Sequence, residues 1–253
     1  MGMLSRLRGE HQEAVAYHRC QYELAKTVAD VWSQAEALDQ LGLDYEAAGQ
    51  LPDAQQSLQL ALQLWSQLEV DSGLASIHKL LGLVNWRQGK LMAAEEHLLQ
   101  ARGLALATDQ LYDLAQIEGN LGNLAYERTQ VETAEAHYVT ALSYFDELGV
   151  VFDKIGILNN LASLAVAREQ YDQATTWYSE SLALSQTLGH QQGELDAILN
   201  LSVVALQQRR WTELPTLYQQ ALAAARSLNN CRAVWAIRRR QLRFLSFTRC
   251  SVY

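Results

Sequence analysis

Apolar residues along the chain recur at helical spacing in pairs of stretches separated by a short break. Ala75, Ile77, Leu81 and Val84 fall on one face of a first helix. Gly89-Lys90 then interrupts, and Leu91, Ala94, Leu98, Ala101 and Leu104 mark a second. The next stretch repeats the arrangement: Ile117, Leu121 and Leu124, a break at Thr129-Gln130, then Val131, Ala134, Tyr138, Ala141 and Tyr144. Each unit therefore reads as helix, turn, helix.

The unit repeats every forty residues without slippage. Leu41, Leu81, Leu121, Leu161 and Leu201 share one position, each followed by a small residue: Gly42, Gly82, Gly122, Ala162 and Ser202. Ala54, Ala94, Ala134 and Ala174 share another, and so do Ala61, Ala101, Ala141, Ser181 and Ala221. A period of this length signals stacked copies of one supersecondary unit. The small residues predict close approach of the paired helices, where a larger side chain would cost about 1–3 kcal/mol through overpacking. Tyr138, Tyr178 and Tyr218 recur where a wider gap needs filling.

Breaks are expected at Gly49, Gly89 and Glu169-Gln170, and second helices are expected to end near Gly149, Gly189 and Asn229-Asn230. Pro52 falls in a first turn, where its missing N–H costs nothing. Pro215 is read the same way, with Thr212 as N-cap. Projected backward, the period puts Gly2 at the small-residue position and Gly9 at a turn, so the first repeat begins halfway through its first helix. Projected forward, it fails at Gln241-Leu242. Trp235, Leu242, Phe244, Leu245 and Phe247 make a poor polar cap, and the ragged ends suggest a piece of a longer chain.

The Leu-Gly pair, the Ala twelve residues after the Gly, the large residue four further on and the Ala three beyond that resemble the tetratricopeptide repeat. Leu121-Gly122, Ala134, Tyr138 and Ala141 show it most fully. The forty-residue unit departs from the usual 34 and lacks the proline that commonly closes the second helix. It is similar to the repeats of bacterial signalling ATPases, MalT-like regulators and spindle-orientation adaptors. The resemblance implies an all-α, right-handed α-solenoid of antiparallel helix pairs. Residues 1–230 would form it, with a partial repeat over 1–30 and five forty-residue repeats from about residue 35. Residues 231–253 would be a basic C-terminal tail or imperfect cap.

Charge sharpens this division. The chain of 253 residues carries a formal charge of −8, yet six Arg and no Asp or Glu lie in residues 231–253. All 28 acidic residues therefore lie in the body, which argues against nucleic-acid binding there. Three scattered cysteines form no disulfide framework, and no apolar run reaches membrane-span length. The chain reads as cytoplasmic, with no membrane partner.

No phosphate loop, HExxH, GxSxG or dinucleotide fingerprint is present, so neither an enzyme nor a cofactor is expected. His97 and His137 share a repeat position, but neighbouring repeats about 10 Å apart place them too far from one another for a common metal ion.

The resemblance assigns the first helix of each pair to a concave groove. Its candidate contacts are Lys79, Trp86, Arg87, Asn123, Tyr126 and Asn159. Trp86 and Tyr126 offer rigid contact area on adjacent units. Asn123 and Asn159 can donate and accept to a peptide backbone. Lys79 and Arg87 can meet a ligand carboxylate. Asn120, Asn160 and Asn200, each one residue before the anchor Leu, predict an inter-helix hydrogen bond. The expected role is a scaffold that binds a protein or peptide. The alternative is a sensor or oligomerisation segment of a larger signalling NTPase or transcription regulator.

Overall fold

The computed structural model describes residues 2–250; the side chains of residue 7 and of residues 243–250 lie outside that description. Arg243, Phe244, Leu245, Phe247, Arg249 and Cys250 are therefore not placed. The described chain is helical, with no strand among the described residues. The helices are α1 (Gly2–Leu7), α2 (His11–Thr27), α3 (Val31–Ala47), α4 (Leu51–Leu68), α5 (Asp71–Arg87), α6 (Leu91–Ala107), α7 (Leu111–Glu127) and α8 (Val131–Leu148). They continue as α9 (Val151–Ala167), α10 (Tyr171–Thr187), α11 (Gln191–Gln207), α12 (Leu214–Ser227) and α13 (Cys231–Cys250). This is the all-α fold of stacked helix pairs that the forty-residue period predicts. The chain forms two compact units, Met1–Tyr144 and Phe145–Tyr253.

Both turns of each unit keep the period in their backbone. Gly9, Gly49, Gly89, Thr129, Glu169 and Arg209 all take positive φ, and so do Ala29, Glu69, Asp109, Gly149, Gly189 and Asn229. Each left-handed residue ends a helix and turns the chain toward the next, as at Gly89, whose N–H donates to the Trp86 carbonyl at 2.8 Å. Glycine takes this conformation freely. Thr129, β-branched and at φ 61°, holds it only because the helices on either side fix the chain path.

The small residue after each anchor Leu has the packing cause the sequence implies. A Cβ on Gly82 would lie 2.7 Å from Leu98 Cγ, and one on Gly122 would lie 2.5 Å from Tyr138 Cε1. The same contact closes the partial repeat, where a Cβ on Gly2 would lie 2.5 Å from His18 Cε1. In the second unit Ala162 and Tyr178 meet in one buried cluster with Ala165, Ala174, Leu201 and Val204.

Two local readings are corrected. Thr212 is not an N-cap: residues 211–213 form a turn, and α12 starts at Leu214 with Glu213 before it. The period would start this helix at Trp211. Pro215 would then stand inside it, without an N–H to donate and with its ring against the Trp211 carbonyl. Starting three residues later moves Pro215 into the first turn. The recurring asparagines do not act as one uniform inter-helix device. Asn120 and Asn200 make no side-chain hydrogen bond among the described residues, and the buried Asn85 donates within its own helix, to Leu81 O at 2.8 Å.

Residues 231–250 are the helix α13, whose Ile237 is buried against α12 in the cluster of Leu214, Tyr218 and Ala221. Its outer side shows Trp235, with the Arg239 guanidinium 5.4 Å from the ring centre.

Candidate functional site

The expected groove residues stand on first helices of successive pairs. In the first unit, Lys79, Trp86 and Arg87 are on α5, and Asn123 and Tyr126 are on α7. Asn159, on α9, belongs to the second unit. Tyr126 is 45% exposed, a large ring facing solvent at the position that Trp86 holds one repeat earlier. Trp86 is half-buried, and its indole N–H is enclosed with no acceptor among the described residues. Such a donor carries a desolvation cost of about 1–3 kcal/mol.

The two cations are engaged within the scaffold. Lys79 Nζ donates to Asp113 and to Gln116 Oε1, the latter at 2.6 Å, both on α7. Arg87 reaches back to Glu46 on α3, contacting its carboxylate and, at 3.2 Å, its carbonyl. Both residues tie one helix pair to the next, so their charge is already partnered. Asn123 is also used locally: its Oδ1 accepts from the Tyr138 hydroxyl at 2.7 Å. Burial pushes the Tyr138 hydroxyl's pKa well above its ordinary value, so it stays protonated and remains a donor. In the second unit Tyr178 and Ser163 repeat this contact at 3.0 Å, and Ser163 also donates to the Asn159 carbonyl at 2.8 Å. Asn159 Oδ1 is buried and lacks a donor among the described residues.

His97 and His137 do not meet. Each pairs within its own repeat: His97 Nδ1 lies 2.9 Å from His78 Nδ1, and His137 Nδ1 lies 2.6 Å from Glu118 Oε2. These are equivalent pairs forty residues apart. Burial lowers the pKa of both His78 and His97, which favours the neutral rings that such a contact needs. Among the described residues no group of three or more His, Cys, Asp or Glu side chains is arranged to hold a metal ion.

Sequence reasoning missed two polar constellations in α1–α4. At the first, Asp44 is fully buried and accepts from Arg6 at 2.8 Å, with His18 Nδ1 at 2.5 Å from its other oxygen. The signal was present. The positions equivalent to Asp44 hold Val84, Leu124, Leu164 and Val204, and those equivalent to His18 hold Leu58, Leu98 and Tyr138. A matched pair of polar replacements at two core positions marks a buried hydrogen-bonded contact. At the second, Asp39 accepts from the Trp65 indole N–H, 3.1 Å from each carboxylate oxygen. Burial is the main cause that pushes the Asp39 pKa up to about 7, and Glu36 adds to it, while the Trp65 bond pulls the other way. Asp39, Glu36, Trp65, His18, Gln21, Gln40 and Met3 line a cleft of about 400 Å³.

Known proteins share this architecture. Residues 33–107 and residues 155–189 match two tetratricopeptide repeat family models. No curated protein matches the chain in sequence. Among solved structures, BtubC (BKLC) from P. vanneervenii is 21% identical with a TM-score of 0.76, over 87% of this chain and 92% of that one. A Rap protein complexed with Competence and Sporulation Factor is 16% identical with a TM-score of 0.73, over 97% of this chain and 73% of that one. Pseudomonas aeruginosa pilF is 18% identical with a TM-score of 0.60, over 80% of this chain and 88% of that one. At such identities the likeness is one of fold. Two matching segments, the same forty-residue pattern continued between and beyond them, and the shared stack of helix pairs make this chain a tetratricopeptide repeat protein.

Proposed function

We propose that the chain is a protein-interaction scaffold that holds a peptide or partner segment against its first-helix face. In the first unit that face carries Trp86 and Tyr126. The observation behind the reading is Tyr126: a large aromatic ring, nearly half exposed, at the same repeat position as Trp86 on the preceding pair. Rigid aromatic side chains supply contact area at small entropic cost and dominate interface energetics. A structural neighbour, the Rap protein, is described in complex with Competence and Sporulation Factor, which supports a binding role for this architecture.

Within this face the roles differ from the sequence-level expectation. Tyr126 and Trp86 are the contact residues. Lys79 and Arg87 brace neighbouring pairs, and Asn123 orients Tyr138. In the second unit Asn159 holds its side-chain oxygen buried, away from a partner on this face. The role is binding without catalysis.

Peptides selected from a random displayed library on the immobilised wild-type chain test the reading. Tyr126→Ala should weaken the selected peptides at least tenfold while leaving the melting temperature unchanged. Peptides that bind the variant as tightly as the wild type would remove Tyr126 from the site.

A further inference from the structure

Repeat two breaks the pattern of its neighbours at several linked positions. Asp39 occupies the place that Lys79 holds one repeat later. Lys79 satisfies its charge on Asp113 and Gln116 of the following pair. The residues equivalent to those partners, forty positions earlier, are Gly73 and Ser76. Neither can neutralise Asp39. Gly73 instead leaves room for the Trp65 ring, which a Cβ there would strike. Trp65 in turn stands where the next repeat has Ala105. The indole fills the space and supplies Asp39 with a neutral donor.

The result is a largely buried carboxylate whose hydrogen bonds come from a neutral group. No cation pairs with Asp39 or Glu36 among the described residues. The nearby Arg6 is turned onto Asp44 at 2.8 Å and Gln40 at 3.0 Å. His18 is likewise held by Asp44. Asp39 nevertheless reaches a cleft of about 400 Å³, which exposed Glu36 also lines, with Gln21, Gln40 and Met3 around it. Burying a carboxylate unpaired is costly, and a cation in the cleft would offset that cost.

We propose that this cleft takes the basic side chain, lysine or arginine, of a partner polypeptide, with Asp39 as its counter-ion and Glu36 as a second carboxylate at the rim. The assignment rests on the interaction-scaffold reading and names the chemistry of one partner side chain. The aliphatic stem of the incoming residue would lie along Met3, and the amides of Gln21 and Gln40 would accept its remaining N–H groups.

The Trp65 indole N–H, bonded to both Asp39 oxygens, reports on the site. Its resonance, assigned by comparison with Trp65→Phe, is followed in the 15N-labelled full chain during titration. The probes are the tripeptide acetyl-Ala-Lys-Ala-amide, its Nε-acetylated form and n-butylammonium. The lysine tripeptide should shift the resonance saturably, and the acetylated form should leave it in place. Asp39→Asn should weaken the tripeptide at least tenfold, and Glu36→Gln should weaken it less. Equal shifts from charged and acetylated tripeptides, or undiminished binding by Asp39→Asn, would overturn the proposal. Equal affinity for n-butylammonium would overturn the polypeptide assignment in favour of a small free amine. A silent Trp65 resonance alongside Tyr126-dependent binding of library peptides would reject this cleft and leave the scaffold reading standing.

Discussion

Asp39→Asn gives the structure's electrostatics a quantitative test. The folded carboxyl has a pKa of about 7 against an ordinary value of 3.8, a difference of about 3 units. At 1.36 kcal/mol per unit this is about 4 kcal/mol. The sign follows from proton binding. Between pH 4 and 7 the folded state holds a proton that the unfolded state has released. Asp39 therefore leaves stability intact below pH 4 and removes it progressively as pH rises through 7. Asparagine keeps an oxygen for the Trp65 N–H without the charge. Urea unfolding of wild type and variant, followed by circular dichroism at pH 4.5, 6 and 8, isolates the effect, because other titrating groups cancel in the difference. The variant should lead wild type by about 1 kcal/mol at pH 4.5 and by up to about 4 kcal/mol at pH 8. A difference that stays constant with pH, or a wild type that is the more stable at pH 8, would refute the account of Asp39 as a half-buried carboxylate without a cation.

Other expectations concern packing, backbone and histidine. Gly122→Ala should destabilise by about 1–3 kcal/mol, because its Cβ meets the buried Tyr138 ring, whereas Gly103→Ala, mid-helix with open space around it, should stabilise by about 0.5–1 kcal/mol; denaturant melts distinguish the two. Thr129→Gly should stabilise by about 1 kcal/mol by relieving its left-handed backbone at φ 61°. The lowered pKa values of His78 and His97 mean that the folded state resists protonating them. Their contribution is fully present above pH 6.5 and lost as pH falls below it, so His97→Gln should flatten the acid limb of the stability profile.

The backbone was legible in the sequence because one rule generates it. Apolar spacing located the helices, and the forty-residue step located the turns even where Thr129 and Glu169 replace glycine. Pro215 shows where local chemistry overrides the period, since an imino acid cannot serve inside a helix that its neighbours start three residues earlier. The candidate site was less legible. Lys79 and Arg87 look free along the chain, yet their partners Asp113 and Glu46 stand one repeat away, and only the stacking brings them within reach. Asp39 likewise gains its character from Trp65 on the following helix and from the room that Gly73 leaves. Side-chain pairing between helices sets these roles, whereas periodicity along one helix sets only its buried face.

Site-directed photo-crosslinking tests the central claim, that a partner segment lies on the first-helix face. A photoreactive phenylalanine analogue placed at Tyr126 on α7, and separately at the exposed Met92 on the second helix α6, would be irradiated with a library-selected peptide. Crosslinking from position 126 and none from position 92 is predicted. Crosslinking from position 92 alone would place the partner on the opposite helices and contradict the account.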